Sequence, residues 1–495
     1  MSDLENFELY DTQFAAPYAE QLQALANLDL QRLFVPGHGA QSKHLERLFG
    51  KRVLEMDFPM IMTEFSLTNP HLPLGNSPDT MQRALKLAAQ AWGAKQAWFL
   101  TNGASSANQI SLLALGTLGK KLIVQRSAHS STIDGMMLAN IEPHFLAPSV
   151  DARLNLAQGI SVAQVRQALE ESPDAYAVFL VSPSYSGAVA DVEEIAKVVH
   201  AAGKPLIIDE SWGSHFGFHD ELPVNAIRLG ADLVISSTHK LAGSLTQSAM
   251  LLLGDGPFAE EIGQAIDRVS RTVTSTSSSA LLMASLDETR RFLATRASRE
   301  FDRGIESAKR VREEIAKRGR FTETYDRLMS YDDVFAVDPM KVTIDARSGG
   351  IGGFEMYERL AYEHRVVPEL ATDGSIVFVL GAAIDMDVDR FIDALHALPE
   401  SPGSAVEAKL LEPGPRIMSL REAFFAPSEI VSAKDAIGRV SSDSLAAYPP
   451  GVPNLTPGEQ ITEEIVEYLQ ATAATSVGYV RGAVDPKSEM FRVVK

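Results

Sequence analysis

Lys240 stands in Ala231-Asp-Leu-Val-Ile-Ser-Ser-Thr-His-Lys240, just past an apolar, strand-like run and ahead of small residues. Thirty-one positions earlier, Asp209 closes another apolar run, Lys204-Pro-Leu-Ile-Ile-Asp209. A lysine beyond one strand end can condense with an aldehyde, and an aspartate at another strand end can pair with a protonated ring nitrogen. That is the arrangement that holds pyridoxal 5′-phosphate (PLP), and it points to chemistry on amino acids.

Other residues extend the pattern. Thr101-Asn-Gly-Ala-Ser-Ser-Ala-Asn108 follows a strand-like run and opens a helix-like one. N–H groups and hydroxyls at a helix start attract anions, so Ala104, Ser105 and Ser106 would lie nearest a cofactor phosphate. Such a turn is also an ordinary helix cap; its place two strand–helix units ahead of Asp209 and Lys240 gives it weight. His129, after the next strand, falls on the ligand edge of an open α/β sheet and could stack on the pyridine ring, although a lone histidine is commonly structural. Ser211 and Trp212, in Asp209-Glu-Ser-Trp-Gly-Ser-His215, would lie beside the ring; Trp212 suits core packing equally well. Ser237 and His239 flank Lys240 and could donate to the phosphate. The hydroxyl-rich Arg271-Thr-Val-Thr-Ser-Thr-Ser-Ser-Ser279 fits a loop and helix cap.

The elements that must carry these residues alternate. Helical spacing at 16–30, 80–93, 105–118, 130–140, 161–171 and 191–202 is interleaved with apolar runs at 96–100, 121–125, 175–181, 206–209, 233–236 and 249–253. The pattern predicts an α/β fold with a mostly parallel sheet covered by helices on both faces. Residues 287–318 read as one long charged helix ending near Gly319, leading to a smaller α/β unit with strands at 341–345 and 376–380. A linker at 399–415 and helices near 428–436 and 459–471 follow. Residues 31–78, rich in Gly, Pro and His, read mostly as loop. The expected organisation is an N-terminal arm (1–60), a large cofactor-binding domain (61–300), a small α/β domain (301–400) and a C-terminal domain (401–495).

Bulk properties narrow the function classes. The 495 residues exceed one ordinary core, and 45% hydrophobic with 22% charged residues describes a globular chain. A net charge of −19 argues against nucleic-acid or anionic-membrane partners. The absence of cysteine removes disulfides, thiolate nucleophiles and Cys-ligated metals, and no metal site is expected. No apolar run approaches a membrane span, and the first residues lack a basic, then apolar, leader. A cytoplasmic location is the default expectation.

Taken together, these motifs resemble the ornithine/lysine/arginine decarboxylase family of fold-type-I PLP enzymes. The likeness runs from Val35-Pro-Gly-His38 through Asn102-Gly-Ala-Ser-Ser-Ala-Asn108, Asp209-Glu-Ser-Trp-Gly-Ser-His215 and Ser237-Thr-His-Lys240 to Thr274-Ser-Thr-Ser277 and Ala284-Ser-Leu-Asp287. It continues through Ala436-Ile-Gly-Arg-Val-Ser441, Tyr448-Pro-Pro-Gly-Val-Pro453 and Pro457-Gly-Glu459. The length resembles the compact form of the family, without an N-terminal wing domain.

The resemblance implies a homodimer with shared active sites, open to higher assembly. It assigns Lys240 to the cofactor aldehyde, Asp209 to the ring nitrogen and His129 to ring stacking. Ser105, Ser106, Ser237 and His239 fall to the phosphate. Ser275 or Thr276 would reach the phosphate of the neighbouring subunit, and Glu459 with the Tyr448 segment would enclose the substrate side chain. Departures at His129-Ser130-Ser131, Ser211-Trp212 and Ser277-Ser278 leave the cofactor set intact and bear on substrate and reaction type. The leading expectation is α-decarboxylation of a basic L-amino acid, with Trp212 against the carboxylate face and Lys240 or His239 returning the proton to Cα. Alternatives are another PLP reaction (transamination, aldol cleavage or oxidative deamination) and a non-catalytic regulator on a decayed enzyme fold.

Overall fold

Apolar runs that are buried on both faces organise the chain. The computed structural model describes residues 12–26, 79–381, 386–401, 411–448, 452–474 and 478–495. The first part comprises α1 (Pro17–Ala26), α2 (Asp79–Trp92), β1 (Gln96–Leu100), α3 (Gly103–Leu118), β2 (Lys121–Gln125), α4 (Ser130–Ala139), β3 (Glu142–Leu146), β4 (Val150–Asp151) and β5 (Leu156–Ala157). Next come α5 (Val162–Glu171), β6 (Ala177–Val181), β7 (Ala188–Val189), α6 (Val192–Ala201), β8 (Leu206–Asp209), β9 (Leu233–Ser236), β10 (Ala249–Leu253), α7 (Ala259–Val273) and α8 (Ala280–Thr295). After α9 (Ala297–Arg318) follow β11 (Thr322–Glu323), α10 (Tyr325–Leu328), β12 (Ala336–Val337), β13 (Lys341–Asp345), α11 (Gly353–Tyr362), β14 (Leu370–Ala371), β15 (Ser375–Val379) and α12 (Val388–Ala397). The C-terminal part holds α13 (Leu420–Phe425), β16 (Ser428–Ser432), α14 (Ala433–Ala436), β17 (Leu445–Tyr448), β18 (Pro453–Leu455), α15 (Glu463–Ala473), β19 (Tyr479–Arg481) and β20 (Met490–Val494).

Seven strands form the central sheet in the order β1-β10-β9-β8-β6-β2-β3. Neighbours from β9 to β3 pair in parallel, whereas β10 runs against both β9 and β1. The sheet is therefore mostly parallel, as expected, with the reversal confined to β10. The segment from Ser237 to Ser248 folds in turns without a helix, so it returns the chain antiparallel; a parallel return needs a crossover, usually helical. The pleat sends alternate residues to two cores. Ile123, Val178, Leu180, Ile208 and Val234 meet α2, α5, α6 and α8, while Leu122, Phe179, Ile207, Ile235 and Leu251 meet α3, α4 and α7. The smaller unit is an antiparallel sheet, β11-β13-β15-β14, packed on α9, α11 and α12. The C-terminal part pairs β16 with β20 and β17 with β18 and β19.

Three local expectations are corrected. The single helix over 287–318 is two, because Arg296 leaves helical geometry at φ −138° between α8 and α9; Gly319 then ends α9 in left-handed conformation as expected. Residues 428–432 form a strand because β20 supplies them with a partner, leaving only a one-turn helix after it. Helix α7, with its strongly amphipathic pattern, was absent from the expected elements. Asp287 accepts N–H bonds from Tyr18 and Ala19, which docks the start of α1 on α8. The loops around Val35-Pro-Gly-His38 and Asn69–Gly75, most of the expected N-terminal arm and residues 402–410 of the linker lie outside the described residues.

Candidate active site

The C-terminal ends of β2, β6, β8 and β9 converge with the start of α3 on a cavity of about 790 Å³. Ligand sites of open α/β sheets form at this edge. Ala104, Ser105, His129, Asp209, Ser211, Trp212, Ser237, His239, Lys240 and Tyr448 all line it. Residues as far apart in sequence as Ala104 and Tyr448 are thereby gathered around one cavity.

Asp209 is the last residue of β8 and is buried. Asn108 donates to its Oδ2 over 3.0 Å, and the Ser211 N–H donates to its Oδ1 over 3.1 Å. The same Asn108 amide also donates to Ser131 Oγ over 3.2 Å, and that hydroxyl lies 2.8 Å from His129 Nδ1. The Ser131 N–H donates to Nδ1 as well, so a neutral His129 carries its proton on Nε2. Burial keeps the His129 ring below its ordinary pKa, against the pull of Asp209, with Arg481 and Lys240 acting in the same direction as burial. One amide therefore fixes both the carboxylate and, through Ser131, the ring.

Lys240 Nζ lies 4.0 Å from the centre of the Trp212 indole. Burial lowers its pKa to about 8, against the attraction of Asp209 and Glu369, so a free amine is available near neutral pH. Trp212 also touches Tyr185, with ring centres 5.3 Å apart, and Lys341, whose Nζ is 3.7 Å from the indole centre. His239 Nδ1 lies 2.9 Å from the Ser248 carbonyl, which can only accept; Nδ1 carries the proton and Nε2 keeps its lone pair in the neutral ring.

Asn102 makes no side-chain cap for α3; the Gly103 N–H donates to the Gln247 carbonyl over 2.7 Å, and Ala104 and Ser105 of the first turn line the cavity. Ser106 does not line it; its hydroxyl donates to the Gly103 carbonyl over 2.9 Å. Ser275 and Thr276 lie exposed between α7 and α8, away from this cavity. Glu459 corrects its sequence reading: it is buried outside the cavity, held by Arg126 through two 2.9 Å bonds, by Arg416 at 3.0 Å and by the Thr456 N–H at 2.8 Å. Both of its carboxylate oxygens are taken up by guanidinium partners. The carboxylates on the cavity wall besides Asp209 are Asp134 and Asp443, and Asp443 pairs with Arg492 at 3.3 Å.

Sequence reasoning missed Asn108, Ser131, Tyr185, Arg126 and Lys341. Asn108 and Ser131 stood inside quoted motifs one helical turn or less from assigned residues, which was the available signal. Nothing local marked Lys341 or Tyr185. The residues present fit PLP: an uncapped helix start with hydroxyls for a phosphate, a buried carboxylate for a ring nitrogen, a histidine for a ring face and an amine of lowered pKa for the aldehyde.

Comparison with known proteins gives the same outline. The model of the Orn/Lys/Arg decarboxylase major domain matches residues 16–388, and that of the family's C-terminal domain matches 419–478. An arginine decarboxylase of Bacillus subtilis (strain 168) is 30% identical, over 98% of this chain and 99% of its own. An arginine decarboxylase of Halalkalibacterium halodurans is 31% identical, over 93% of this chain and 94% of its own. The crystal structure of a Francisella novicida lysine decarboxylase superposes with a TM-score of 0.78 at 18% identity, covering 97% of this chain and 81% of that one. At that identity the likeness establishes the fold, which is that of fold-type-I PLP enzymes.

Proposed function

The chain belongs to the Orn/Lys/Arg decarboxylase family, and from that membership we propose that it performs PLP-dependent α-decarboxylation of a basic L-amino acid, yielding the amine and CO2. Lysine, arginine and ornithine are the candidate substrates. Arginine is the first to test, because the relatives matched along nearly all of both chains are named for it.

One observation carries the reading: Lys240, Asp209 and His129 meet in one cavity beside an uncapped helix start. PLP, when bound, supplies a sink for the electron pair left at Cα as the carboxylate departs. The chain's own groups do the rest. The start of α3, Ser105 and Ser237 would hold the phosphate. Asp209, held by Asn108, keeps negative charge opposite the ring nitrogen and favours its protonated form. His129 covers one ring face. Lys240, whose amine has a lowered pKa, would hold the cofactor aldehyde. Trp212 and Tyr185 exclude water from the carboxylate, which lowers the cost of losing charge as CO2. Lys240 Nζ or His239 Nε2 returns the proton to Cα. Asp134 is the cavity carboxylate suited to a cationic side chain.

The reading includes a cytoplasmic homodimer in which Ser275 or Thr276 reaches the neighbouring subunit's phosphate. Incubating the PLP-loaded protein with lysine, arginine and ornithine, and identifying products by mass, tests it. An amine short of one CO2 is expected. A keto acid, a cleaved fragment or no product from all three contradicts it.

A further inference from the structure

Lys341 opens β13 in the smaller sheet, yet its side chain leaves that sheet and is 1% exposed. Lysine is rarely buried without a partner, because its ammonium loses hydration. Asp338, three residues earlier in the same turn, supplies a nearby negative charge, and the large-domain His215 lies 3.2 Å from the Asp338 carboxylate. Lys341 Nζ donates to the Tyr185 carbonyl over 2.8 Å and lies 3.7 Å from the centre of the Trp212 indole.

The approach is built into the backbone. β12 pairs with β7, and the Asp338 N–H donates to the Gly187 carbonyl over 2.9 Å. Gly187 has φ +93°, and a Cβ there would sit 3.2 Å from the Cβ atoms of both Asp338 and Lys341. A side chain at 187 would strain this joint, so the glycine lets the segment before β13 press onto the loop after β6.

A structural staple could end on any carbonyl. Lys341 instead ends on two residues that line the cavity while lining none of it itself. Tyr185 packs on Trp212, and its hydroxyl is hydrogen-bonded to Tyr448, another cavity residue. Trp212 is the surface against which Lys240 Nζ rests at 4.0 Å. Two lysine nitrogens therefore share one indole, one from the large domain and one from the smaller unit.

We propose that Lys341 is a positioning residue for the reaction: its side-chain nitrogen, bonded to the Tyr185 carbonyl and set against the Trp212 indole, holds both in one arrangement, which sets where Lys240 Nζ and the departing carboxylate lie. This deepens the decarboxylase reading and rests on it for the role of Lys240.

The test combines Lys341→Met, Lys341→Gln, Trp212→Phe and the Lys341→Met/Trp212→Phe double variant. The chain has three tryptophans, so the near-UV circular dichroism difference between wild type and Trp212→Phe, taken on cofactor-free protein, isolates the Trp212 signal. Lys341→Met should lose most of that signal and lower kcat by about 10- to 100-fold with KM within about threefold, the range expected when reacting groups are misplaced from a distance. Lys341→Gln keeps an N–H donor for the Tyr185 carbonyl without the charge, and should show the same signature with less thermal destabilisation. The double variant should be no slower than Trp212→Phe alone, because both changes act through one ring. An unchanged Trp212 signal, multiplicative losses in the double variant, or unfolding of both single variants without a Trp212-specific change would reduce Lys341 to a staple. Wild-type protein that releases no CO2 would overturn the decarboxylase reading instead, and the dichroism would still report on Lys341 and Trp212.

Discussion

At the scale of single residues, the site depends on a lysine kept poor in charge and an aspartate held in place by two N–H donors. Burial takes Lys240 from the ordinary 10.5 to about 8, so the folded cofactor-free protein binds fewer protons than the unfolded chain between those values. The resulting penalty is full below about pH 8 and fades as pH climbs toward 10.5. Lys240→Met removes it, so in cofactor-free protein the stability gained by this variant should be larger at pH 7 than at pH 10, as read by urea midpoints. A constant difference across that range contradicts the burial of the charge. Asp209→Asn should lower kcat by about 10²–10³-fold, the usual loss when a charge aimed at the reacting system is removed. Asn108→Ala, which frees both Asp209 and Ser131, should lower it less. Asp134→Asn should raise KM for the basic amino acid about tenfold while kcat stays within about threefold, as for loss of one charge-assisted contact. Lys240 and Asp209 were legible in the sequence because each follows an apolar run at a strand end. Their support was not: Asn108 and Asp209 are 101 positions apart, and only the sheet brings them together.

At the scale of elements, the C-terminal part is tied to the sheet edge by the Arg126–Glu459 pair, with both side chains buried. Arg126 follows β2 and also donates to the Pro453 carbonyl over 3.1 Å, so the pair fixes β18 beside the cavity. Removing one partner of a buried pair leaves the other uncompensated, and Glu459→Gln should cost about 3–5 kcal/mol of stability. The folded fraction should keep its KM; a large rise in KM at unchanged stability would return Glu459 to the substrate. The sequence displayed the central strands well, because strands buried on both faces form contiguous apolar runs. It concealed the direction of β10, since an apolar run carries no polarity. It also concealed β16, whose half-buried residues owe their strand form to β20, more than fifty positions away. The α8–α9 break was masked because helical spacing continues across Arg296 while its backbone does not.

At the scale of the whole molecule, three regions contribute to one cavity: the large sheet, Leu370 of the smaller sheet, and Asp443, Tyr448 and Arg481 of the C-terminal part. Among the described residues no helix is long and apolar enough to cross a membrane. Ser275 and Thr276 stand outside that cavity; the proposed homodimer with shared sites would have them serve the other subunit. Mixed dimers of Lys240→Ala with Ser275→Ala/Thr276→Ala should then recover roughly a quarter of wild-type activity, since random pairing gives half mixed dimers with one intact site each. No recovery would place each site within a single chain. The central claim is that one particular lysine carries the cofactor, and this chain holds a second buried lysine of lowered pKa, Lys341 at about 7, to compare it with. Borohydride reduction of PLP-loaded protein, followed by proteolysis and mass mapping, decides between them. The account predicts the pyridoxyl label on Lys240 alone; a label on Lys341 or elsewhere, or none, would contradict it.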